Sequence, residues 1–235
     1  MKTNISLATL VSATLLLSAC ANKPVPPDWQ ANAYAALKGF SSAYLSGNTR
    51  LADFEFARAR LEIASTGRAD LLARAELTRC ATRVASLAFD NCADYQPLAP
   101  DAGPAEQAYA AYLTGHPTGT NPDLLPVQHR AIARKIALDM AQAGPAESSE
   151  GKSLLGAIEE PMARLIAAGV LLQSSRLTPA DIEIATETAS SQGWRRPLLA
   201  WLGVQLKRAG DAGNQAEAAR IQRRINLVTA PATPQ

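Results

Sequence analysis

Serine, lysine, histidine and glutamate stand in this chain at spacings that invite chemistry, and each set needs a partner to perform it. Gly151-Lys152-Ser153 has the residue types that cradle a phosphate, where backbone N–H groups and a lysine ammonium neutralise the anion. Such a cradle needs a glycine five residues before Gly151, where Ala146 stands, and a strand leading into it. We read a polar loop entering a helix. Ser149 and Lys152 have the Ser-x-x-Lys spacing in which a lysine takes the proton of a serine nucleophile, but no Ser-Asp-Asn or Lys-Thr-Gly element follows to complete that site. Imidazole comes only from His116 and His129, and no Gly-x-Ser-x-Gly elbow presents a nucleophile to either. His116 sits among turn residues and His129 in a helical stretch beside Arg130, so both are expected in solvent-facing or hydrogen-bonded structural roles. Glu159 and Glu160 are neighbours, about 100° apart on a helix, and suit the helix N-terminal dipole better than an acid/base pair. No catalytic, cofactor-binding or metal-binding set is complete, and no enzymatic activity is expected.

The chain opens with Lys2, an apolar stretch from Leu7 to Leu17 and small residues before Cys20, the three parts of a secretory signal. That stretch is shorter than the roughly 20 apolar residues a bilayer-spanning helix needs. Leu17-Ser18-Ala19-Cys20 resembles the lipobox of bacterial lipoproteins. The resemblance implies cleavage before Cys20, a thioether-linked diacylglycerol on its sulfur and three acyl chains on the mature residue. At about 0.8 kcal/mol per buried methylene, even two chains make the tether effectively permanent. In that family an aspartate after the cysteine retains the protein at the inner membrane. Ala21 and Asn22 stand here instead, which implies the periplasmic face of the outer membrane.

With Cys20 acylated, Cys80 and Cys92 remain as an even pair in an oxidising compartment, where a disulfide is the default and two buried thiols the alternative. Zinc is disfavoured, since neither histidine is near the pair in sequence and two thiolates are too few ligands. The bond carries a geometric demand. On one continuous helix the two Cα atoms would lie about 18 Å apart, whereas a disulfide needs less than about 7 Å. The helix carrying Cys80 is therefore expected to end near Leu87 to Phe89, with Asp90-Asn91 turning the chain back. Closing that loop is worth about 3 kcal/mol in the chain-entropy model.

The elements that must position these residues are helices. Roughly a fifth of the chain is alanine, aromatic residues make up 5%, and β-branched runs are scarce. Residues 1–19 read as the leader, 20–27 as the acylated cysteine with an extended proline-rich spacer, 28–228 as a helical domain and 229–235 as a disordered tail. The first helix is expected from Asp28, its N-cap, to Ser46, closed by Gly47. A second runs over 49–65, with Leu51, Phe54, Ala57, Arg58, Leu61 and Ala64 at three- and four-residue spacing, and a third over 69–87. Pro97, Pro100, Gly103 and Pro104 mark a loop before a short helix at 105–113, and 114–126 is left irregular. Further helices are expected at 125–142, 159–174 and 179–191, the last with Thr178 as N-cap and Pro179 in its first turn. The run Leu165 to Leu172 reads as a buried helix segment. The final pair covers 197–209 and 214–228.

In that pair, Trp201-Leu202-Gly203, Leu206 and Ala209-Gly210-Asp211 resemble the first helix and turn of a tetratricopeptide repeat, with Ala218 and Ala219 suiting its second helix. Ala212-Gly213-Asn214 lengthens the turn by about three residues over the family pattern. The fold class is all-α: an irregular helical bundle or a short α-solenoid with repeat-like hairpins and one disulfide.

Charge is divided along the chain. From Trp194 onward Arg195, Arg196, Lys207, Arg208, Arg220, Arg223 and Arg224 face only Asp211 and Glu217, a net of +5, while residues 20–193 carry −4. Arg220, Arg223 and Arg224 fall close together on one helix and form a candidate binding face for anionic headgroups, cell-wall carboxylates or an acidic partner. Nucleic acid is not expected at this address. The leading expectation is a non-enzymatic, lipid-anchored helical adaptor for another envelope protein. The alternatives are a binder of peptidoglycan or lipopolysaccharide through the basic face and, behind it, a cryptic cell-wall hydrolase.

Overall fold

Several helix starts in this chain are set by single polar side chains. The side-chain oxygens of Asn48, Thr178 and Asn214 accept from the backbone N–H groups of Leu51 (3.1 Å), Asp181 (3.2 Å) and Glu217 (3.1 Å). Each satisfies a donor that the first helical turn leaves unpaired. The computed structural model describes residues 26–117, 119–141 and 153–230. Among these residues it is all-helical, with helices α1 (Asp28–Ser46), α2 (Thr49–Ala64), α3 (Ala69–Ala85), α4 (Pro104–Leu113), α5 (Val127–Ala141), α6 (Pro161–Gln173), α7 (Pro179–Ser191), α8 (Arg195–Asp211) and α9 (Gln215–Thr229). Cys20, Ser149, Gly151 and Lys152 lie outside the described residues.

Every expected helix is present, with no end displaced by more than two residues. Pro27, and not Asp28, occupies the α1 N-cap, so Asp28 sits inside the first turn, where its carboxylate complements the dipole. The largest departure is Ala93–Asp101, expected as loop and found as a nine-residue 3-10 helix that contains Pro97 and Pro100. Proline removes a donor from an α-ladder, but buried Tyr95 and the pairing of Asp94 with Arg79 and Arg83 hold this segment in tight turns.

α1 and α2 form an antiparallel hairpin closed by Gly47 at φ 92°. Phe40 and Ala43 of α1 pack there on Ala52 and Phe56 of α2. α3 is the central element, touching α1, α2, α4, α6 and the 3-10 segment. In α6 every residue from Leu165 to Leu171 is buried, the outcome expected of an all-round apolar helix. The contacts of α3 with α6 and of α1 with α8 join elements far apart in sequence. A stack of repeats touching only their neighbours does not make such contacts, so the architecture is a bundle.

The second helix reports a register that periodicity alone does not reveal. Its buried stripe is Ala52, Phe56, Ala59 and Ile63. Leu51, Phe54, Ala57, Arg58, Leu61 and Ala64, the set at helical spacing in the sequence, all face solvent.

Cys80 and Cys92 form the disulfide, with Cα atoms 5.2 Å apart. α3 stops at Ala85, and Leu87, Asn91 and Cys92 take positive φ as the chain folds back. The Asp90 carboxylate accepts from Cys92 N at 3.0 Å and pairs with Arg83, which places the reversal at Asp90-Asn91.

Gly169 is where α6 crosses α3 most closely. A Cβ there would run into the Val84 carbonyl oxygen and sit 2.8 Å from its Cγ1. Gly169→Ala recovers about 1 kcal/mol of helix propensity. It incurs about 3 kcal/mol of overpacking, because a backbone oxygen cannot rotate away. The expected net loss is about 2 kcal/mol, read as a lower urea midpoint. An unchanged midpoint would mean the two helices do not meet at this point.

Candidate functional site

Three helix ends converge at the C-terminal side of the bundle. The first is set by a capping box: Asp181 N donates to Thr178 Oγ1, and Thr178 N donates back to Asp181 Oδ2 at 2.9 Å. This fixes Pro179, Ile182 and Glu183 at the start of α7. The second end is the last two turns of α8 with its C-cap, carrying Gln205, Arg208, Ala209 and Ala212. The chain then turns through Gly213 at φ 68°, a left-handed conformation that glycine adopts without strain, and Asn214 caps α9. α9 contributes Glu217 and the buried Ile221. Together these residues enclose an open groove of about 210 Å³.

The groove has an apolar floor (Pro179, Ile182, Ala209, Ile221) and polar walls of both signs. Arg220 grips the Glu217 carboxylate with two hydrogen bonds of 2.8 and 2.6 Å, which hold its pKa below the ordinary value, with Arg224 adding to the effect. Gln205 presents a buried Oε1 that accepts no hydrogen bond from a protein group. The volume is below the roughly 300 Å³ at which drug-sized ligand sites begin, and fits one or two side chains of a longer partner.

The basic C-terminal region is partly neutralised within the fold. Arg196 donates to the Tyr44 carbonyl and to Thr49 Oγ1, both at 2.7 Å, and lies over the Tyr44 ring at 4.2 Å. Lys207 pairs with Asp211 and Arg220 with Glu217. Among the described residues no carboxylate lies within salt-bridge distance of Arg208, Arg223 or Arg224.

The histidines are not brought together at a site. His116 is exposed, with Nδ1 2.7 Å from its near neighbour's carbonyl, Thr114 O. His129 is 1% exposed and shares a hydrogen bond of 3.2 Å with the Tyr112 hydroxyl. Burial pushes the His129 imidazole down to about 4 and the Tyr112 phenol well above its ordinary value, so both are neutral near pH 7. Ser153 donates to Asp181 and accepts from Leu155 N at 3.1 Å, which ties it to the α7 capping box. Glu160 caps α6, accepting from Met162 N at 2.9 Å and from Ala163 N.

A second concentration of charge is structural. The buried Glu76 carboxylate meets Arg60 and Arg79, the latter at 2.8 Å, and Arg79 lies 4.4 Å over the Phe56 ring. Arg79 and Arg83 continue to Asp94 and Asp90 beside the disulfide. These side chains fill their own space and leave no ligand-sized volume. Among the described residues no three His, Cys, Asp or Glu side chains are placed to share a metal ion.

The groove was not foreseen from the sequence. No family model, no curated protein and no solved structure matches this chain.

Proposed function

We propose that this chain is a lipid-anchored envelope adaptor, tethered through Cys20 at the periplasmic face of the outer membrane, that holds a segment of another envelope protein in the groove between α7, α8 and α9. The observation that carries the reading is the open apolar floor with an unmet acceptor beside it. A buried amide oxygen without a donor is costly, so Gln205 gains by turning its amide out to a backbone N–H of an extended segment while an adjacent side chain fills the floor. Both charge signs on the walls give such a segment a fixed orientation. α8 also carries the groove away from the α1–α2 hairpin. Arg208 follows Arg196, which docks on Tyr44 and Thr49, by 12 residues, or about 18 Å along the helix.

The groove is preferred to the basic face because Arg220 is already engaged by Glu217, which reduces the charge left for an anionic polymer such as peptidoglycan or lipopolysaccharide. A photo-crosslinking residue placed at Ala212 or Arg208 in living cells is expected to capture the same protein, and one placed at Lys38 is not. Gln205→Leu should weaken that capture. No capture above background at either groove position refutes the adaptor reading.

A further inference from the structure

An apolar stripe runs the length of α2 with none of the described residues packed over it. Leu51 is 45% exposed, Phe54 59% and Leu61 73%, and Ala57 and Ala64 flank them on the same side of the helix. The opposite stripe of α2 is already buried on α1 and α3, so this face is surplus to the core. Arg58, in the middle of it, pairs with Glu55 at 3.0 Å, and Arg50 on the same face has no ion-pair partner among the described residues.

The position of the stripe relative to the start of the domain decides what covers it. α1 and α2 are antiparallel, and the C-terminal end of α2 lies beside the N-terminal end of α1. Asn32 donates to Glu62 at 3.2 Å, and Ala33 packs with Ile63. The tether therefore enters at the Leu61 end. Cys20 precedes Asp28 by eight residues, which span at most about 28 Å when fully extended. α2 has 16 residues and is about 24 Å long. The whole stripe is thus within reach of a bilayer that holds Cys20.

We propose that α2 lays this stripe on the surface of the bilayer in which the chain is anchored, with Leu51, Phe54 and Leu61 entering the acyl boundary and Arg50 and Arg58 reaching toward lipid phosphates. The proposal rests on acylation of Cys20. Three large side chains offer far less than the roughly 800 Å² per partner of a stable protein interface, which argues against a second copy as the occupant. A bilayer needs no such area, because the tether keeps the helix at a high effective concentration next to the lipid. An apolar helical face interrupted by long basic side chains, whose stems lie along it while their heads reach the headgroups, is the pattern that partitions there.

The test uses the acylated protein extracted from envelopes and reconstituted into vesicles of phosphatidylethanolamine and phosphatidylglycerol. An environment-sensitive fluorophore on Ala57→Cys is expected to brighten several-fold and to be quenched by a lipid-borne quencher. The same label on Gln222→Cys is expected to remain in water. Adding Phe54→Gln and Leu61→Gln should return the label at 57 to the level of the control while the protein still floats with the vesicles. A protein that floats with a water-exposed label at 57 overturns the docking and leaves the anchor standing. A protein that does not float overturns both. A label equally shielded in the Cys20→Ala chain free in buffer, with the mass of a dimer, overturns the proposal in favour of a second copy.

Discussion

Trp201→Ala is expected to lower the stability of this protein by about 4 kcal/mol, the typical cost of emptying a fully buried aromatic site. For a domain of this size that corresponds to a fall in melting temperature on the order of 10 °C. Trp201 is completely buried and belongs to the main core. Its neighbour Leu202 packs the other way, with Ala209 of α8 and Ile221 of α9. The indole is therefore the fastening of the α8–α9 hairpin to the rest of the bundle. Its Nε1 finds no acceptor among the described residues, so Trp201→Phe removes an unmet donor along with part of the ring volume. That variant is expected to lose only about 1 kcal/mol. Thermal melts of both variants check the pair, and equal losses would show that the indole nitrogen is satisfied after all.

Between about pH 6.5 and about pH 4 acid is expected to weaken the fold through His129. His129 is held neutral by burial, with its pKa at about 4 in the folded chain, whereas the unfolded chain protonates near pH 6.5. Between those values the unfolded state binds a proton that the native state refuses. Protonation thus favours unfolding, and the histidine's contribution to stability falls as the pH drops from about 6.5 to about 4 and levels off below. The depressed pKa corresponds to a loss of about 3 kcal/mol across the window. His129→Gln keeps a polar partner for the Tyr112 hydroxyl and does not titrate. The difference between the two proteins in urea unfolding should therefore shrink the advantage of the native histidine only on the acid side. Parallel stability curves from pH 7 to pH 4 would place His129 in contact with water.

Local chemistry made much of this molecule legible before any coordinates. Thr178, Pro179 and Asp181 announce the start of α7, because a capping box is satisfied within four residues whatever the rest of the chain does. Cys80 and Cys92 demand a chain reversal between them, and Asp90 and Asn91 supply it. The nine-residue 3-10 helix at Ala93–Asp101 was hidden because two prolines exclude an α-ladder without saying what replaces it. Only the pairing of Asp94 with arginines of α3 and the burial of Tyr95 supply that answer.

The second helix marks the boundary of sequence reasoning. Both of its faces carry apolar residues at helical spacing, so periodicity predicts the helix and is silent on which face turns inward. Packing chose Ala52, Phe56, Ala59 and Ile63, since alanines at two of the four positions let α2 approach its neighbours closely. The same choice left Leu51, Phe54 and Leu61 outside.

Amino-acid order alone determined the helices, the N-cap at Thr178 and the cysteine pair, because each depends on residues within a few turns of one another. Tertiary structure alone decided which stripes are covered, that His129 is dry, and that three helix ends leave a groove. Burial belongs to surfaces that meet from distant parts of the chain, and no local pattern encodes which surfaces those will be.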